Sequence, residues 1–492
     1  MKNQVIPNEI VEIVEKLEKA GFEAFLVGGC TRDLLLGKTP KDWDITTNAT
    51  PEEIIPLFAK TFYENSYGTV GVVNETTDDE RLKIVEVTPY RLESFYSDHR
   101  HPDEVRFSKS IEDDLKRRDF TINAIAVSLS NGAIKDIVDL FGGLKDIKDK
   151  TVRAVGDADE RFKEDALRMI RAVRLATELS FTINIDTNKA ILSDSKLLKE
   201  ISIERIRDEF VKILMSKSPK LGIEMLDSLN LLVYISPELL AAKGVEQNQA
   251  HAYDVWEHLL RTVQHSADKG WPLEIRLSAL FHDISKPETK RFSRETSKIT
   301  FYGHEVVGSR VTKKILERLK FPTKTIEKVT SMVRWHMFFS DTETITLSAV
   351  RRMIANVGRE NIWDLMNIRI CDRIGTGRPK ENPYRLRKYQ AMVEEAMVDP
   401  VSVGMLKIDG KGIMNVTHVT PGPKIGFILN ALLEEVLENP KLNTEEYLEN
   451  RAMELIILPD AKLKELGKQG VLVKSKAENE NIEEIRKKYH VS

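Results

Sequence analysis

Apolar positions near the start of the chain recur at helical spacing. Ile10, Ile13, Val14 and Leu17 fall on one face of residues 8–20, which predicts an amphipathic helix. The pattern then changes. Short apolar or alternating runs at 24–28, 42–46, 69–73, 83–89 and 122–128 predict strands, interleaved with short helices. In the run KIVEVTPYR, Val85 and Val87 are expected to face the core and Glu86 the other side. These elements make a small mixed α/β domain ending near residue 150. Beyond it the pattern is almost wholly helical. Residues 161–180 and 203–215 are expected to be strong helices, the first burying Leu167, Ile170 and Val173. Histidines recur on helical segments between about 250 and 375. From about 381 the pattern predicts a charged helical tail, broken most clearly at Asn382-Pro383 and Pro421-Gly422-Pro423. The expected fold class is α+β: a mixed head over 1–150, then helical segments over 151–245, 246–380 and 381–492. No internal repeat or low-complexity tract stands out.

A chain of 492 residues is too long for one core, which fits this division. Charged residues at 31% and aromatics at 7% favour a helix-rich soluble protein. The net charge of −3 gives no global signal for nucleic acid, yet a local basic patch suffices for phosphate contact, and the acidic stretch Glu434 to Glu454 offsets basic ones elsewhere. Cys30 and Cys371 are the two cysteines, so no disulfide framework or cysteine-rich metal site is expected. The start MKNQVIPNEI has no apolar signal core, and no run approaches about 18 apolar residues. The expectation is a cytoplasmic protein with no membrane segment.

The chemistry concentrates in Phe25 to Thr47, FLVGGCTRDLLLGKTPKDWDITT. An apolar run enters a Gly28-Gly29 turn, a helical segment with Arg32-Asp33 follows, and Gly37 ends it. Asp42 and Asp44, at i and i+2 on a strand, are expected to point to the same side and hold one or two divalent ions. Twin glycines let the backbone approach a polyphosphate, and the helix after them aims its N–H groups at it. Either feature alone is common. In this order they resemble the signature of polymerase β-like nucleotidyltransferases and point to metal-dependent nucleotidyl transfer. Glu86 is the candidate third carboxylate, because Mg²⁺ prefers octahedral oxygen ligation.

Two later motifs suit a nucleoside triphosphate. In Arg117-Arg118-Asp119-Phe120-Thr121-Ile122-Asn123, guanidinium groups fit phosphate oxygens, while a carboxylate and an amide fit sugar hydroxyls. In Glu164-Asp165-Ala166-Leu167-Arg168-Met169-Ile170-Arg171-Ala172-Val173-Arg174, a row at i, i+3 spacing holds Asp165, Arg168, Arg171 and Arg174. A solvated ion ladder explains most such rows. The sharper reading is base recognition. Asp165 supplies an acceptor beside a donor from Arg168. Cytosine and adenine present an amino donor next to a ring-nitrogen acceptor; uracil and guanine present the reverse and would leave buried polar groups unpaired.

Over roughly residues 22–240 the sequence resembles the bacterial-type (class II) tRNA nucleotidyltransferases, the CCA-adding enzymes, and their poly(A) polymerase relatives. The blocks in order are LVGGCTRDLLLG with DWD, EVTPYRLESFYSDHRHPDEVRF, RRDFTINAIA, DLFGGLKDIKDKTVRAVGDADERFKEDALRMIRAVRL and ISIERIRDEFVKIL. The resemblance implies Mg²⁺ on Asp42 and Asp44, with Glu86 as third carboxylate. It implies Gly28, Gly29, Arg32 and Arg118 around the triphosphate, and Asp119 and Asn123 at the ribose. Asp165 and Arg168 would read the base, and Arg171 and Arg174 would support the nucleotide. Tyr96 to Val105 resembles the flexible loop linked to the switch from C to A addition, and Glu204-Arg205-Ile206-Arg207 the neck element that steadies the head.

The reaction implied is in-line attack of an RNA 3′-hydroxyl on the α-phosphate of CTP or ATP, with tRNA as partner and no nucleic-acid template. Complete CCA addition is the first reading. The stretch NSYGTVGVV lacks the basic G-[RK]-[RK]-F block of related poly(A) polymerases, and the segment Ser94 to Asp103 that CC-only relatives lack is present. An A-adding enzyme stays open, as does the oligomeric state.

His258, His282-Asp283, His304, His336 and Asp372 form a second constellation. Singly, each histidine is ordinary. Their order resembles an HD domain, with His258, His282, Asp283 and Asp372 as the metal ligands implied. Such donors suit Mn²⁺, Ni²⁺ or Zn²⁺. Some family members use this domain as a phosphohydrolase on RNA ends; the plain alternative is an HD fold kept as a body gripping tRNA. The tail over 381–492 is assigned to the tRNA elbow by family analogy.

Overall fold

The first predicted helix forms over Asn8–Lys19 in the computed structural model, which describes residues 6–64, 68–94, 104–247, 252–293, 298–338 and 345–467. Ile10, Ile13, Val14 and Leu17 are buried as the stripe requires. The helix stops where Gly21 adopts φ of +89° and the Phe22 N–H reaches back to the Leu17 carbonyl at 3.1 Å, a left-handed ending that glycine favours. The chain forms two compact units, 1–240 and 241–492.

In the first unit, nine strands precede residue 140 among the described residues: β1 (Ala24–Val27), β2 (Asp44–Thr47), β3 (Thr61–Glu64), β4 (Thr69–Val73), β5 (Ile84–Pro89), β6 (Arg91–Ser94), β7 (Glu104–Phe107), β8 (Ile125–Ser130) and β9 (Ala133–Asp139). Seven build one mixed sheet in the order β3-β4-β5-β2-β1-β8-β9, and β6 pairs with β7. β2 and β5 run parallel, in a register that sets Asp44 beside Glu86 and Ile45 beside Val87. Alternation therefore sends Ile45, Val85 and Val87 into the core under the first helix. Asp44 and Glu86 take the opposite face. There Val27, Leu115 and Ala126 form a smaller cluster.

Several sequence expectations change. Asp42 stands in a bend before β2, so the two aspartates do not share one strand. The strand expected at 122–128 begins at Ile125, after a 3-10 turn over Thr121–Asn123. The strands β3 and β9 and the β6–β7 pair were not expected. β9 had a signal: Asn131 and Gly132 both take positive φ, +50° and +72°, in a two-residue hairpin turn. The flexible-loop assignment, Tyr96 to Val105, lies outside the described residues except at its last two, Glu104 and Val105, whose backbone is in β7.

The helix expected at 161–180 is two helices, Ala158–Glu164 and Leu167–Leu179. Asp165 breaks it with extended backbone, φ −145° and ψ 102°. Its carboxylate then accepts the Leu167 N–H at 3.1 Å, which opens the second helix. The segment 203–215 forms one helix, Ile203–Met215.

Among its described residues the second unit is helical apart from a short strand pair, Arg291–Ser293 with Lys298–Thr300, which the sequence pattern did not suggest. Its apolar clusters gather around Ile354, Leu365 and Tyr389, and around Ile413, Leu432 and Leu448. Pro383 and Pro423 mark helix starts at Tyr384 and Pro423, as the breaks predicted. Among the described residues no helix is long and apolar enough to cross a membrane.

Candidate functional site

β1 delivers the chain to Gly28, whose φ of +75° suits glycine and starts the helix Gly28–Leu35. The turn is tight against charge. A Cβ at Gly28 would lie 3.1 Å from Asp44 Oδ2 and 3.2 Å from Arg118 Nη1. One small space is thus bounded by a glycine backbone, a carboxylate and a guanidinium. Burial pushes the Asp44 carboxyl above its ordinary range; Arg118 opposes this and Asp42 adds to it. Arg118 is anchored by buried Asp114 at 3.0 Å, and its Nε finds no hydrogen-bond partner. A buried carboxylate next to a second one, fronted by a gap that any side chain would fill, fits a divalent cation and a phosphate oxygen. Among the described residues, Asp42, Asp44 and Glu86 do not converge within 4.8 Å as the histidine clusters do. Glu86 is exposed while Val85 and Val87 are fully buried. Cys30, just behind, donates to the Val27 carbonyl at 3.0 Å, and burial pushes its thiol up to about 12, so it acts as a packing residue.

From this gap a chain of polar contacts crosses the head. Arg32 binds Asp33 at 2.7 Å and donates to Asn123 Oδ1 at 2.9 Å. Asn123 Nδ2 donates to Asp119 Oδ1 at 3.2 Å, and Arg171 grips Asp119 Oδ2 at 2.6 and 2.9 Å. Burial alone would raise the Asp119 carboxyl, but Arg171, Arg168 and Asn123 outweigh it and hold it at about 2. Gly29 lies in the same helix as Arg32, and a Cβ placed there would stand 3.7 Å from the Arg32 guanidinium. The residues expected at phosphate and ribose are thus brought together.

The expected row from Asp165 to Arg174 is no solvated ladder. Each member reaches a different partner. Asp165 holds Arg205 at 2.8 Å. Arg168, 9% exposed, holds Glu164 at 2.6 Å and the carbonyls of Arg161 and Arg117 at 3.1 and 3.3 Å. Arg171 holds Asp119, and Arg174 holds buried Glu209 at 2.6 Å and Glu178 at 3.0 Å. The partner roles of Glu164, Arg205 and Glu209 were not foreseen, although all three stand in the quoted blocks.

In the second unit all six polar residues of the second constellation converge and are buried. His258 Nε2 and His282 Nε2 lie 2.9 Å apart. They stand 3.1 and 3.2 Å from Asp283 Oδ2, and 3.5 and 3.7 Å from Asp372 Oδ1. The other Asp283 oxygen, Oδ1, faces His304 Nε2 at 3.2 Å and His336 Nε2 at 3.5 Å. Two donor sets therefore share Asp283. Nδ1 of His282, His304 and His336 lies 2.7–2.9 Å from the carbonyls of Ala279, Phe301 and Val333. A carbonyl can only accept, so Nδ1 carries a proton and Nε2 is the ring nitrogen turned inward. His304 Nε2 and His336 Nε2 have no hydrogen-bond partner. The site asks for positive charge. Despite burial, Asp283 and Asp372 raise His282 to about 10, while burial lowers His336 to about 4. Lys286 reaches Asp283 Oδ2 at 2.6 Å and Arg369 reaches Asp372 Oδ2 at 2.5 Å. Imidazole and carboxylate donors with orphaned Nε2 atoms fit transition-metal ions.

Comparison with known proteins gives three family matches: the poly A polymerase head domain over residues 24–153, a probable RNA and SrmB-binding site of polymerase A over 180–243, and the HD domain over 255–376. The CCA-adding enzyme of Leuconostoc mesenteroides is 32% identical over 468 residues, 93% of this chain and 99% of that protein. That of Geobacillus thermodenitrificans is 33% identical, covering 88% and 93%. That of Ligilactobacillus salivarius reaches 49% identity over 228 residues, 45% of this chain and 54% of that protein. Among solved structures, the Bacillus stearothermophilus CCA-adding enzyme in complex with CTP superposes with a TM-score of 0.63 at 28% identity, over 91% of this chain and 96% of that one.

Proposed function

The chain belongs to the CCA-adding enzymes, and from that premise we propose that it adds C, C and A in turn to the 3′ end of tRNA, from CTP and ATP, with release of pyrophosphate. The observation that carries this reading is the gap bounded by Gly28, Asp44 and Arg118, with the Arg32–Asn123–Asp119–Arg171 chain leading from it. Asp42 and Asp44, with Glu86 as a third oxygen donor, would hold Mg²⁺, which supplies Lewis-acid activation of the attacking hydroxyl and neutralises charge on the leaving group. Gly28 and Gly29 offer backbone N–H groups to the triphosphate, and Arg32 and Arg118 its counter-charge. Asp119 and Asn123 orient the ribose. Asp165 and Arg168 select the base, and Arg171 and Arg174 support the nucleotide. On this reading the head spans 1–150, the neck with its RNA contacts 151–245, the HD-type body 246–380 and the tail 381–492. The tail's contact with the tRNA elbow rests on family analogy.

The test is extension of tRNA lacking CCA, and separately of tRNA ending in CC, with Mg²⁺ and with CTP and ATP alone and together. Three added residues reading CCA support the proposal. Extension of the CC-ending substrate alone makes the protein an A-adding enzyme, and long A tracts make it a poly(A) polymerase.

A second activity is proposed on the HD site: a metal-dependent phosphohydrolase that removes 2′,3′-cyclic or 2′-phosphates from RNA ends. The two donor sets sharing Asp283 support it, since adjoining ions can hold a phosphate between them. Mn²⁺, Ni²⁺ or Zn²⁺ would be held there. Phosphate release from end-phosphorylated RNA, lost in His282→Ala with CCA addition intact, is the expected result. No release with any of the three ions leaves the HD unit as a binding body.

A further inference from the structure

We propose that Arg205 is a positioning residue for base selection: its guanidinium fork fixes the Asp165 carboxylate so that one acceptor site remains for the incoming base. This rests on the reading that Asp165 and Arg168 recognise the base.

The hydrogen-bond inventory of the two side chains carries the proposal. An ionised carboxylate offers about four lone-pair sites. Asp165 Oδ1 uses both of its own, accepting the Leu167 N–H at 3.1 Å and Arg205 Nη1 at 3.3 Å. Asp165 Oδ2 accepts Arg205 Nη2 at 2.8 Å and keeps one site. Arg168 has five N–H donors. Two on Nη1 go to the Arg161 carbonyl and Glu164, and one on Nη2 goes to the Arg117 carbonyl. The Nε proton and one Nη2 proton have no partner among the described residues. What is left is one acceptor on Asp165 and a pair of donors on Arg168. That remainder matches an amino group next to a ring nitrogen, the edge shared by cytosine and adenine, and mismatches uracil and guanine.

The fork matters because a carboxylate turns easily about its last torsion, which is broad and two-fold. Asp165 lies in a helix break, where no regular helix holds its side chain. Arg205 comes from the helix Ile203–Met215, 40 positions along the chain, and meets both oxygens in the geometry that a planar guanidinium imposes and an ammonium does not. Released from it, the carboxylate would be held by the Leu167 N–H alone and could turn about that contact to accept an N–H elsewhere, including one on uracil.

The experiment measures kcat/KM for CTP, ATP, UTP and GTP on tRNA lacking CCA, in Arg205→Met, Arg205→Lys and Asp165→Ala, with a melting curve for each. Arg205→Met is expected to lower the CTP-over-UTP ratio by roughly 10- to 100-fold. Arg205→Lys restores the charge and the melting temperature but not the ratio. An equal fall for all four nucleotides, with the ratio unchanged, makes Arg205 a structural bolt and overturns the proposal. Should Arg205→Met fail to fold, an unchanged ratio in Arg205→Lys overturns it equally. Asp165→Ala separates the two levels of the argument. Wild-type selectivity there removes the base-reading assignment itself; lost selectivity there, with selective Arg205 variants, removes this proposal alone.

Discussion

Replacing Gly28 by alanine tests whether the gap beside Asp44 and Arg118 is where chemistry happens. Two effects are separable. The first is backbone strain: φ of +75° puts an L-residue in the left-handed region, at roughly 1–2 kcal/mol. The second is the contact. The new Cβ would stand 3.1 Å from Asp44 Oδ2 and 3.2 Å from Arg118 Nη1, so one of them has to move by a few tenths of an ångström. Arg118 gives little, because its other nitrogen is held by buried Asp114 at 3.0 Å. Asp44 gives little, because its strand is paired on both sides, to β1 and to β5. The displacement therefore falls on the groups proposed to hold the metal and the triphosphate, and turnover should fall by about 10- to 100-fold. Gly37 provides the control. Its φ is +74°, with nothing within 4 Å of the added carbon. Gly37→Ala should share the loss of thermal stability and keep wild-type turnover. Melting curves and steady-state CTP incorporation on both variants decide the matter. Equal activity in the two would refute the placement of the active site at Gly28.

Further outcomes follow from the same geometry. Asp44→Asn should lower nucleotide incorporation by more than about 10²-fold while tRNA binding, read by gel shift, is kept. Asp119 is held at about 2, below its unfolded value near 3.9, so its stabilisation is full above that unfolded value and is lost as pH falls through about 2. The stability gap between wild type and Asp119→Asn, on the order of 2 kcal/mol, should persist from neutral pH to about 4 and close below it in urea titrations. His336→Gln should reduce bound Mn²⁺ from two ions per chain to one by elemental analysis, because the set built on His258, His282 and Asp372 stays whole. Asp146→Ala removes the partner of Thr121 at 2.6 Å and of Arg153 at 3.0 Å, and should destabilise the turn presenting Asn123 by about 2–3 kcal/mol, visible as a lower melting midpoint.

The central strands were legible because β1, β2, β4 and β5 carry their own apolar alternation. The edge strand β3 and the β6–β7 pair were not. Phe62, Tyr63, Leu92 and Phe107 are exposed there, so their pattern of apolar residues does not report a core. The break at Asp165 was hidden for a related reason. Phe162, Ala166 and Ile170 keep helical spacing across the break, and hydrophobic periodicity carries no trace of a side chain that captures a backbone N–H. The second donor set of the HD unit was half legible: His304 and His336 stood out as histidines, but that both face the far oxygen of Asp283 depends on packing between three segments, the start of the helix His304–Arg318 and the ends of the helices Leu273–Phe281 and Thr323–Trp335.

The row from Asp165 to Arg174 sets the limit of such reading. Helical spacing placed Arg168, Arg171 and Arg174 on one face, which is correct for the helix Leu167–Leu179. It also suggested that members of the row would meet one another. Instead Asp165, Arg171 and Arg174 reach partners 40, 52 and 35 positions away. The reason is electrostatic. The Asp165 and Arg174 side chains are largely withdrawn from water and Arg171 is partly so, and an unpaired charge there is expensive, so each takes an opposite charge that the tertiary fold supplies. On the proposed roles, nucleotide recognition in this head would be an exchange of partners as much as a filling of empty sites: a ribose engaging Asp119 would have to share it with Arg171 and Asn123. An enzyme arranged in this way discriminates by what its bound groups leave over, and that remainder becomes visible once the whole network is placed.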